Sequence, residues 1–177
     1  MLMVALTAAA AAAQTTKPIR TFAQFAGTWT LDESASTGRL TLAPLSLAID
    51  TTRTEFHVTR TLRPERMMRP ELASPPMEIY RLDGRVTTDS APTVDAFERT
   101  RQFTLVADMP ALTTTVHRLG DKAWTLQTDA LELQGDTLKL HVQLISVSPD
   151  GEIYEMHEPS NNFKHTFTYR RTTPPRR

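Results

Sequence analysis

The chain contains no cysteine. This absence excludes disulfide bonds, cysteine nucleophiles, cysteine-ligated zinc or iron–sulfur centres and a cysteine-borne lipid anchor. Charge of either sign is also not in excess, because 20 Lys and Arg residues balance 20 Asp and Glu residues. A net charge of zero removes the electrostatic attraction on which nucleic-acid binding depends, so no nucleic-acid partner is expected.

Long hydrophobic runs are scarce, and the N-terminal run "MLMVALTAAAAAAQTT" is too short to cross a bilayer. No integral membrane span is therefore expected. The run ends in small residues, and Ala11 to Ala13 before Gln14 resemble a signal-peptidase site. We expect residues 1–13 to be a signal peptide that exports the protein to the periplasm or the medium. An Ala-rich disordered tail is the alternative. Residues 14–21 are expected to form an exposed lead, and residues 172–177 a disordered tail.

The remainder of the chain suits one domain, and its apolar residues recur with a period of two. The stretches "LSLAID", "EFHVTRTL" and "FKHTFTYRR" all alternate in this way. Such alternation is typical of half-buried strands, and no window shows helical periodicity over three turns. The sequence predicts an all-β domain over residues 22–171 with about 8–10 strands.

Glycine is also scarce, and four of the six glycines adjoin an aspartate, as expected of turns between strands. They lie at Asp83-Gly84, Gly120-Asp121, Gly135-Asp136 and Asp150-Gly151. A succession of short hairpins favours an antiparallel up-and-down barrel, because closure leaves few exposed edges. The segment 63–76 contains four prolines and is excluded from a central strand. A functional lid or rim and a surface insertion both remain open for it.

The stretch from Phe22 to Trp29, "FAQFAGTW", resembles the start of a lipocalin, in which a short helical turn precedes a Gly-x-Trp motif. The layout of the chain is also similar to that of small exported lipocalin-like proteins of bacteria. The resemblance implies a structural floor in which Trp29 fills the closed end of a barrel and Gly27 permits close backbone approach. It also implies that Arg170 or Arg171 covers the indole. Arg171 is the better choice if the aromatic residues of the last strand point inward.

Arginines on apolar strand faces suggest where a ligand would bind. Arg60 alternates with apolar residues of its strand, and Arg99 and Arg101 share a face with Phe103. A buried arginine needs an anionic or hydrogen-bonding partner, which a ligand carboxylate could provide. A position near a strand end or at a bulge is the alternative. The candidate ligand-binding residues are Phe56, Arg60, Tyr80, Arg99, Arg101, Phe103, Trp124 and Tyr169.

Motifs for catalysis and metal binding are lacking. His57, His117, His141, His157 and His165 show no metal-ligand spacing, and no G-x-S-x-G or phosphate-binding glycine loop is present. Carboxylates such as Asp83, Asp129 and Glu132 are expected mostly at turns or on polar faces. We therefore expect no catalytic residue, metal or cofactor.

The sequence thus predicts an exported lipocalin-like barrel that binds a small apolar or amphipathic molecule, with acids among the candidates. A structural or interaction protein whose barrel is filled by side chains and holds no ligand is the first alternative. A lipocalin-type isomerase or cyclase is the second.

Overall fold

The protein is built from antiparallel strands, as the period-two alternation predicts. The computed structural model describes residues 22–63, 77–89, 97–118, 123–148, 150, 152–155 and 165–172. Two short 3₁₀ turns accompany the strands, η1 (Ala23–Phe25) and η2 (Leu40–Leu42). In this part of the chain the strands are β1 (Gly27–Thr37), β2 (Ser46–Thr51), β3 (Glu55–Thr61), β4 (Glu78–Arg81), β5 (Thr87–Asp89), β6 (Phe97–Val106), β7 (Met109–Arg118), β8 (Trp124–Gln134), β9 (Thr137–Val147), β10 (Ile153–Glu155) and β11 (His165–Arg171).

Ten of these strands form a nearly closed up-and-down barrel, which confirms the predicted fold class. Their order is β4-β3-β2-β1-β11-β9-β8-β7-β6-β5, and β10 pairs with β9 beside this path. The first and last strands along the chain, β1 and β11, pair with each other, and Trp29 lies opposite Arg171 in this pairing. The seam lies between β4 and β5, where the Thr87 hydroxyl donates to the Ile79 carbonyl at 3.3 Å.

The two ends of the barrel differ in how the strands are joined. At one end, here called the lower end, short connections at residues 52–54, 82–86, 107–108 and 135–136 join successive strands. The 3₁₀ turn η1 also lies at this end, with Phe25 buried. At the upper end, β1 and β2 are joined through residues 38–45, which include η2. The other strands that end there continue into stretches outside the described residues.

The predicted turns have mixed outcomes. Gly135 adopts a φ of 59° in the two-residue hairpin between β8 and β9. Gly84 also has a positive φ of 78°, but its turn joins β4 and β5, which do not pair with each other. The turn expected at Asp83-Gly84 is therefore present, but it carries the chain across the seam instead of closing a hairpin. Gly120, Asp121 and Gly151 lie outside the described residues.

The turn between β6 and β7 adopts positive φ values without a glycine. Ala107 and Asp108 connect β6 to β7 with φ values of 47° and 65°. Asp tolerates this left-handed region because its short side chain hydrogen-bonds locally, and alanine adopts it at some cost. The hairpin depends on the long β6–β7 pairing, which runs from Phe97 opposite Arg118 to Val106 opposite Met109.

Gly38 is needed where the chain leaves β1. Its φ is 99°, and an added Cβ would overlap His165 Nδ1 and lie 3.2 Å from His165 Cα. The same imidazole nitrogen accepts a hydrogen bond from the Arg39 amide at 3.1 Å. This close approach anchors the β1–β2 connection to the upper end of β11.

Replacing Gly38 with alanine is expected to lower the free energy of unfolding by about 2–3 kcal/mol, through backbone strain and overpacking against His165. Gly135→Ala is the matched control, since Gly135 has a φ of +59° and no atom within 4 Å of an added Cβ. Strain alone should cost about 1 kcal/mol there. Urea denaturation measures both values, and equal losses would show that the His165 contact yields without cost.

Several expectations fall outside the described residues. These are the signal peptide (1–13), the exposed lead (14–21), nearly all of the proline-rich segment (64–76), His157 and most of the C-terminal tail (173–177). Within the described part of the chain, no helix has the length and apolar character needed to span a membrane.

Candidate functional site

A buried ion-pair network crosses the barrel at mid-height. Arg60 on β3 places Nε 3.1 and 3.0 Å from the two carboxylate oxygens of Glu78 on the neighbouring strand β4. Its Nη1 reaches Oδ2 of Asp129 on β8 at 2.6 Å. The three side chains are at most 6% exposed. One guanidinium therefore joins two distant walls of the barrel.

Tyr80 forms a second link across the barrel. Its hydroxyl donates to Glu78 Oε2 at 2.9 Å and lies 2.9 Å from Thr114 Oγ1 on β7. Burial, followed by the charge of Glu78, raises the pKa of the Tyr80 phenol well above its usual range. The phenol thus remains a neutral hydrogen-bonding group.

The Asp129 carboxylate has a further donor on its own strand. Gln127 Nε2 lies 2.9 Å from each of its oxygens. Burial would lower the pKa of Arg60, but the charges of Glu78 and Asp129 outweigh that effect and raise it well above its usual range. We call Arg60, Glu78, Tyr80, Thr114, Gln127 and Asp129 the polar layer. Its charged members find their partners within the protein, as buried charges must.

Below the polar layer the barrel is filled by aromatic side chains. Phe22 and Phe103 have ring centroids 5.2 Å apart, and Phe56 lies 6.2 Å from both Phe25 and Phe103. Phe25, Phe56 and Phe103 are at most 5% exposed. These rings therefore form a packed core, and a cavity of about 610 Å³ opens at the lower end beside Phe22, Phe25, Leu131 and Leu133.

The lower end is finished by a tryptophan covered by an arginine. Trp29 is fully buried and donates from Nε1 to the Phe25 carbonyl at 2.9 Å. The Arg171 guanidinium carbon lies 4.2 Å from the indole centroid, within cation–π range. Arg170 instead points outward and pairs with Asp32 at 2.8 Å. A Cβ on Gly27 would lie 3.0 Å from Arg171 Nη1, so the missing side chain leaves room for the guanidinium.

Above the polar layer the burial pattern of the strands changes. In the lower half of β9 the inward residues Leu138, Leu140 and Val142 are buried, and the residues between them are half-buried. Higher on the same strand the alternation stops, because the inward residues Leu144 and Ser146 are half-buried as well. The inner face of this part of the strand is therefore reachable by solvent.

The neighbouring strands show the same change. Ser146 pairs with Thr125 on β8, and Thr125 pairs with Val116 on β7. Both partners are half-buried although they face inward. Together, Val116, Thr125, Leu144 and Ser146 line an accessible space that we call the upper lumen. Its floor is the polar layer, and its walls carry both methyl and hydroxyl groups.

The structure brings seven of the eight candidate ligand-binding residues to the inner face. Phe56 and Phe103 belong to the packed core, and Arg60 and Tyr80 belong to the polar layer. Tyr169 is buried, and its hydroxyl donates a hydrogen bond to the Pro44 carbonyl at 3.0 Å. Arg101, only 3% exposed, faces inward opposite Thr114, and Arg99 faces inward opposite Val116.

Trp124 is not brought to the other seven. Like Ala130 and Glu132, it lies an odd number of positions from the inward-facing Asp129 and therefore faces outward. Trp124 is half-buried there, opposite Val147 on β9.

Four members of the polar layer, namely Glu78, Thr114, Gln127 and Asp129, were not among the predicted site residues. Asp129 was expected at a turn or on a polar face, and that expectation is wrong, because it lies in mid-strand and is 1% exposed. The alternation of Asp129 with Leu131 and Leu133 is the sequence signal that could have indicated its inward position. Glu78 likewise shares its strand face with Tyr80.

Neither a protein-family model nor a curated protein matches this chain. The class of protein is therefore defined by the fold and the site: a nearly closed antiparallel barrel, compatible with a lipocalin-like fold, that could hold a ligand. Within the described residues, no three His, Asp or Glu side chains are grouped so as to hold a metal ion.

Proposed function

We propose that the protein is a lipocalin-like barrel that binds a small amphipathic molecule in the upper lumen. The observation that carries this proposal is the half-buried inner face of β7, β8 and β9 above the polar layer. A filled barrel would bury these inward side chains as completely as it buries Leu138 and Leu140 lower down. Ligand sites in barrels are concave and combine apolar walls with a few polar groups, as this space does.

The covered tryptophan at the lower end supports the lipocalin-like part of the proposal. Gly27, Trp29 and Arg171 have the arrangement that the resemblance implies, with the guanidinium over the indole. The proposal includes export, for which residues 1–13 are the supporting feature. An exported binding protein would meet its ligand outside the cytoplasm.

An acid is the ligand that the charges of the barrel favour. Besides Arg60, two arginines lie on the inner face near the polar layer: Arg101 opposite Thr114, and Arg99, which is in register with Val116 on β7 and with Asp89 on β5. Arg60 already pairs with both carboxylates, so a ligand carboxylate would be recognised by Arg99 and Arg101. Without ligand, both arginines already interact with other groups of the protein. The ligand carboxylate would add to these interactions or replace them.

Calorimetric titration with a medium-chain fatty acid and the matching primary alcohol tests the proposal. The tail of either molecule gains about 25 cal/mol for each Å² of apolar surface that it buries. Only the acid adds a charge-assisted contact, worth about 1.5–3 kcal/mol. We expect the acid to bind roughly tenfold or more tightly than the alcohol.

Neighbouring residues of β9 offer a matched pair of variants. Leu144 faces the upper lumen, whereas Ile145 faces outward in the same half-buried stretch. Leu144→Trp should weaken binding of both ligands by filling the space, and Ile145→Trp should leave both affinities unchanged. Equal affinities of acid and alcohol would contradict the role of the arginines. Absence of binding by either ligand would contradict the binding function and favour a filled barrel.

A further inference from the structure

A hydroxyl, an imidazole and a carboxylate form a chain on the outer face of the barrel. His141 on β9 has Nδ1 3.0 Å from Thr166 Oγ1 on β11, and its Nε2 lies 3.0 Å from Glu132 Oε2 on β8. Thr166 and His141 are direct partners in the β9–β11 ladder. The three side chains therefore come from three adjacent strands of a rigid sheet, on the side opposite the lumen.

The hydrogen-bond directions in this chain follow from the carboxylate. The hydrogen bond from His141, and then that from Gln134, lower the pKa of Glu132, so Glu132 is ionised and can only accept. His141 must therefore donate from Nε2. When the imidazole is neutral, its Nδ1 has no proton and accepts one from the Thr166 hydroxyl. This is the arrangement in which a base activates a hydroxyl nucleophile and a carboxylate orients the base.

We propose that Thr166 is an acyl-acceptor site whose hydroxyl is activated by His141 and Glu132 and reacts with small activated esters. Thr166 Oγ1 forms a bond to the acyl carbon, and the bond from that carbon to the leaving group breaks. The leaving group departs with the electron pair of that bond. The hydroxyl proton passes to His141 Nδ1, and Glu132 stabilises the imidazolium. No oxidant or reductant is required.

The surroundings of the site determine which acyl donors can react. The His141 side chain is 18% exposed and that of Glu132 is 34% exposed, so a small molecule can approach them. The site lies on a sheet face, where backbone N–H groups point along the sheet to the neighbouring strands instead of toward a bound carbonyl oxygen. The donors must therefore carry a leaving group that departs as a stable anion, as aryl esters and acyl phosphates do.

Incubation of the full chain with p-nitrophenyl acetate tests the site. We expect a burst of p-nitrophenolate and one acetyl group on the peptide that contains Thr166, identified by mass spectrometry. Thr166→Val should abolish this adduct, and Thr166→Ser should restore it. His141→Gln should slow its formation by about a hundredfold or more, the usual contribution of a general base.

A threonine elsewhere on the outer face provides the matched control. Thr113 on β7 has its hydroxyl 3.4 Å from that of Thr128 on β8, so its nearest hydroxyl partner is another threonine. Thr113→Val should leave the burst and the Thr166 adduct unchanged. Hydroxylamine removes esters of threonine and spares amides of lysine, which separates the expected adduct from background acetylation.

Two results would overturn the proposal: acetylation confined to lysines, or a Thr166 adduct that forms equally fast in His141→Gln. Thr166→Val preserves the shape of the side chain, and the far-UV circular dichroism of each variant reports whether it folds. If the valine variant does not fold, the serine and glutamine variants still decide the outcome, because the adduct and its rate are read at the site itself.

Discussion

Replacing Arg60 with methionine is expected to lower the free energy of unfolding by about 3–5 kcal/mol, the usual cost of removing one partner from a buried ion pair. Methionine fills the space of the arginine stem but leaves the carboxylates of Glu78 and Asp129 without their shared guanidinium. The side chains of Glu78 and Asp129 are at most 6% exposed, so water cannot take the place of the guanidinium. Chemical denaturation monitored by circular dichroism measures the loss.

The loss should depend on pH in a defined direction. The two buried carboxylates of Arg60→Met carry uncompensated negative charge at neutral pH, and protonation removes that charge. The stability deficit relative to the parent protein should therefore be largest at neutral pH and shrink as the pH falls.

Two further variants separate the network from general effects. Arg170→Met removes a surface arginine whose side chain is 66% exposed and pairs with Asp32, so stability should hardly change. The triple variant Arg60→Met, Glu78→Gln, Asp129→Asn removes both charges along with the guanidinium and should recover much of the loss. Similar stabilities of Arg60→Met and Arg170→Met would contradict a structural role of the polar layer.

The barrel could be predicted from the sequence because strand alternation is a local signal. In β11, for example, His165, Phe167 and Tyr169 recur at every second position, and all three are buried. The inward position of Arg60 follows from the same rule, since it alternates with Phe56 and Val58. A strand with one buried face thus specifies which of its residues can meet inside the barrel.

The partners of Arg60 could not be predicted in this way. Arg60 on β3 meets Asp129 on β8 only because the sheet curves until these strands face each other across the interior. No local pattern encodes a contact between strands so far apart in the sequence. Glu78 does lie on a strand paired with β3, but its segment follows the proline-rich stretch, and its register could not be fixed from sequence.

The identification of Trp124 as a ligand-binding residue shows a second limit. An aromatic side chain suits either face of a strand, and only its opposite parity to Leu131 and Leu133 indicates that Trp124 faces outward. A shift of one residue exchanges the two faces of a strand. The register of β8 places Asp129 and Gln127 inside, and Trp124 consequently faces outward.

Truncating Trp29 to alanine is expected to lower the free energy of unfolding by about 3–5 kcal/mol. The indole is fully buried, donates to the Phe25 carbonyl and underlies the Arg171 guanidinium. Its removal leaves a cavity at the lower end and takes away the hydrogen bond to Phe25 of η1, which then keeps the bonds from Arg171 to the carbonyls of Gln24 and Ala26 at 2.9 and 2.7 Å. Denaturant unfolding monitored by far-UV circular dichroism measures the loss.

The second tryptophan of the chain is the matched control for this prediction. Trp124 lies half-buried on the outer face, so Trp124→Ala should cost roughly 1 kcal/mol or less. Arg171→Leu should cost an intermediate amount, since it removes the cation–π contact, worth about 0.5–2 kcal/mol, and leaves the indole packed. Equal losses for the two tryptophans would show that Trp29 is not an essential part of the core. A wild-type stability of Arg171→Leu would show instead that the indole alone closes the lower end.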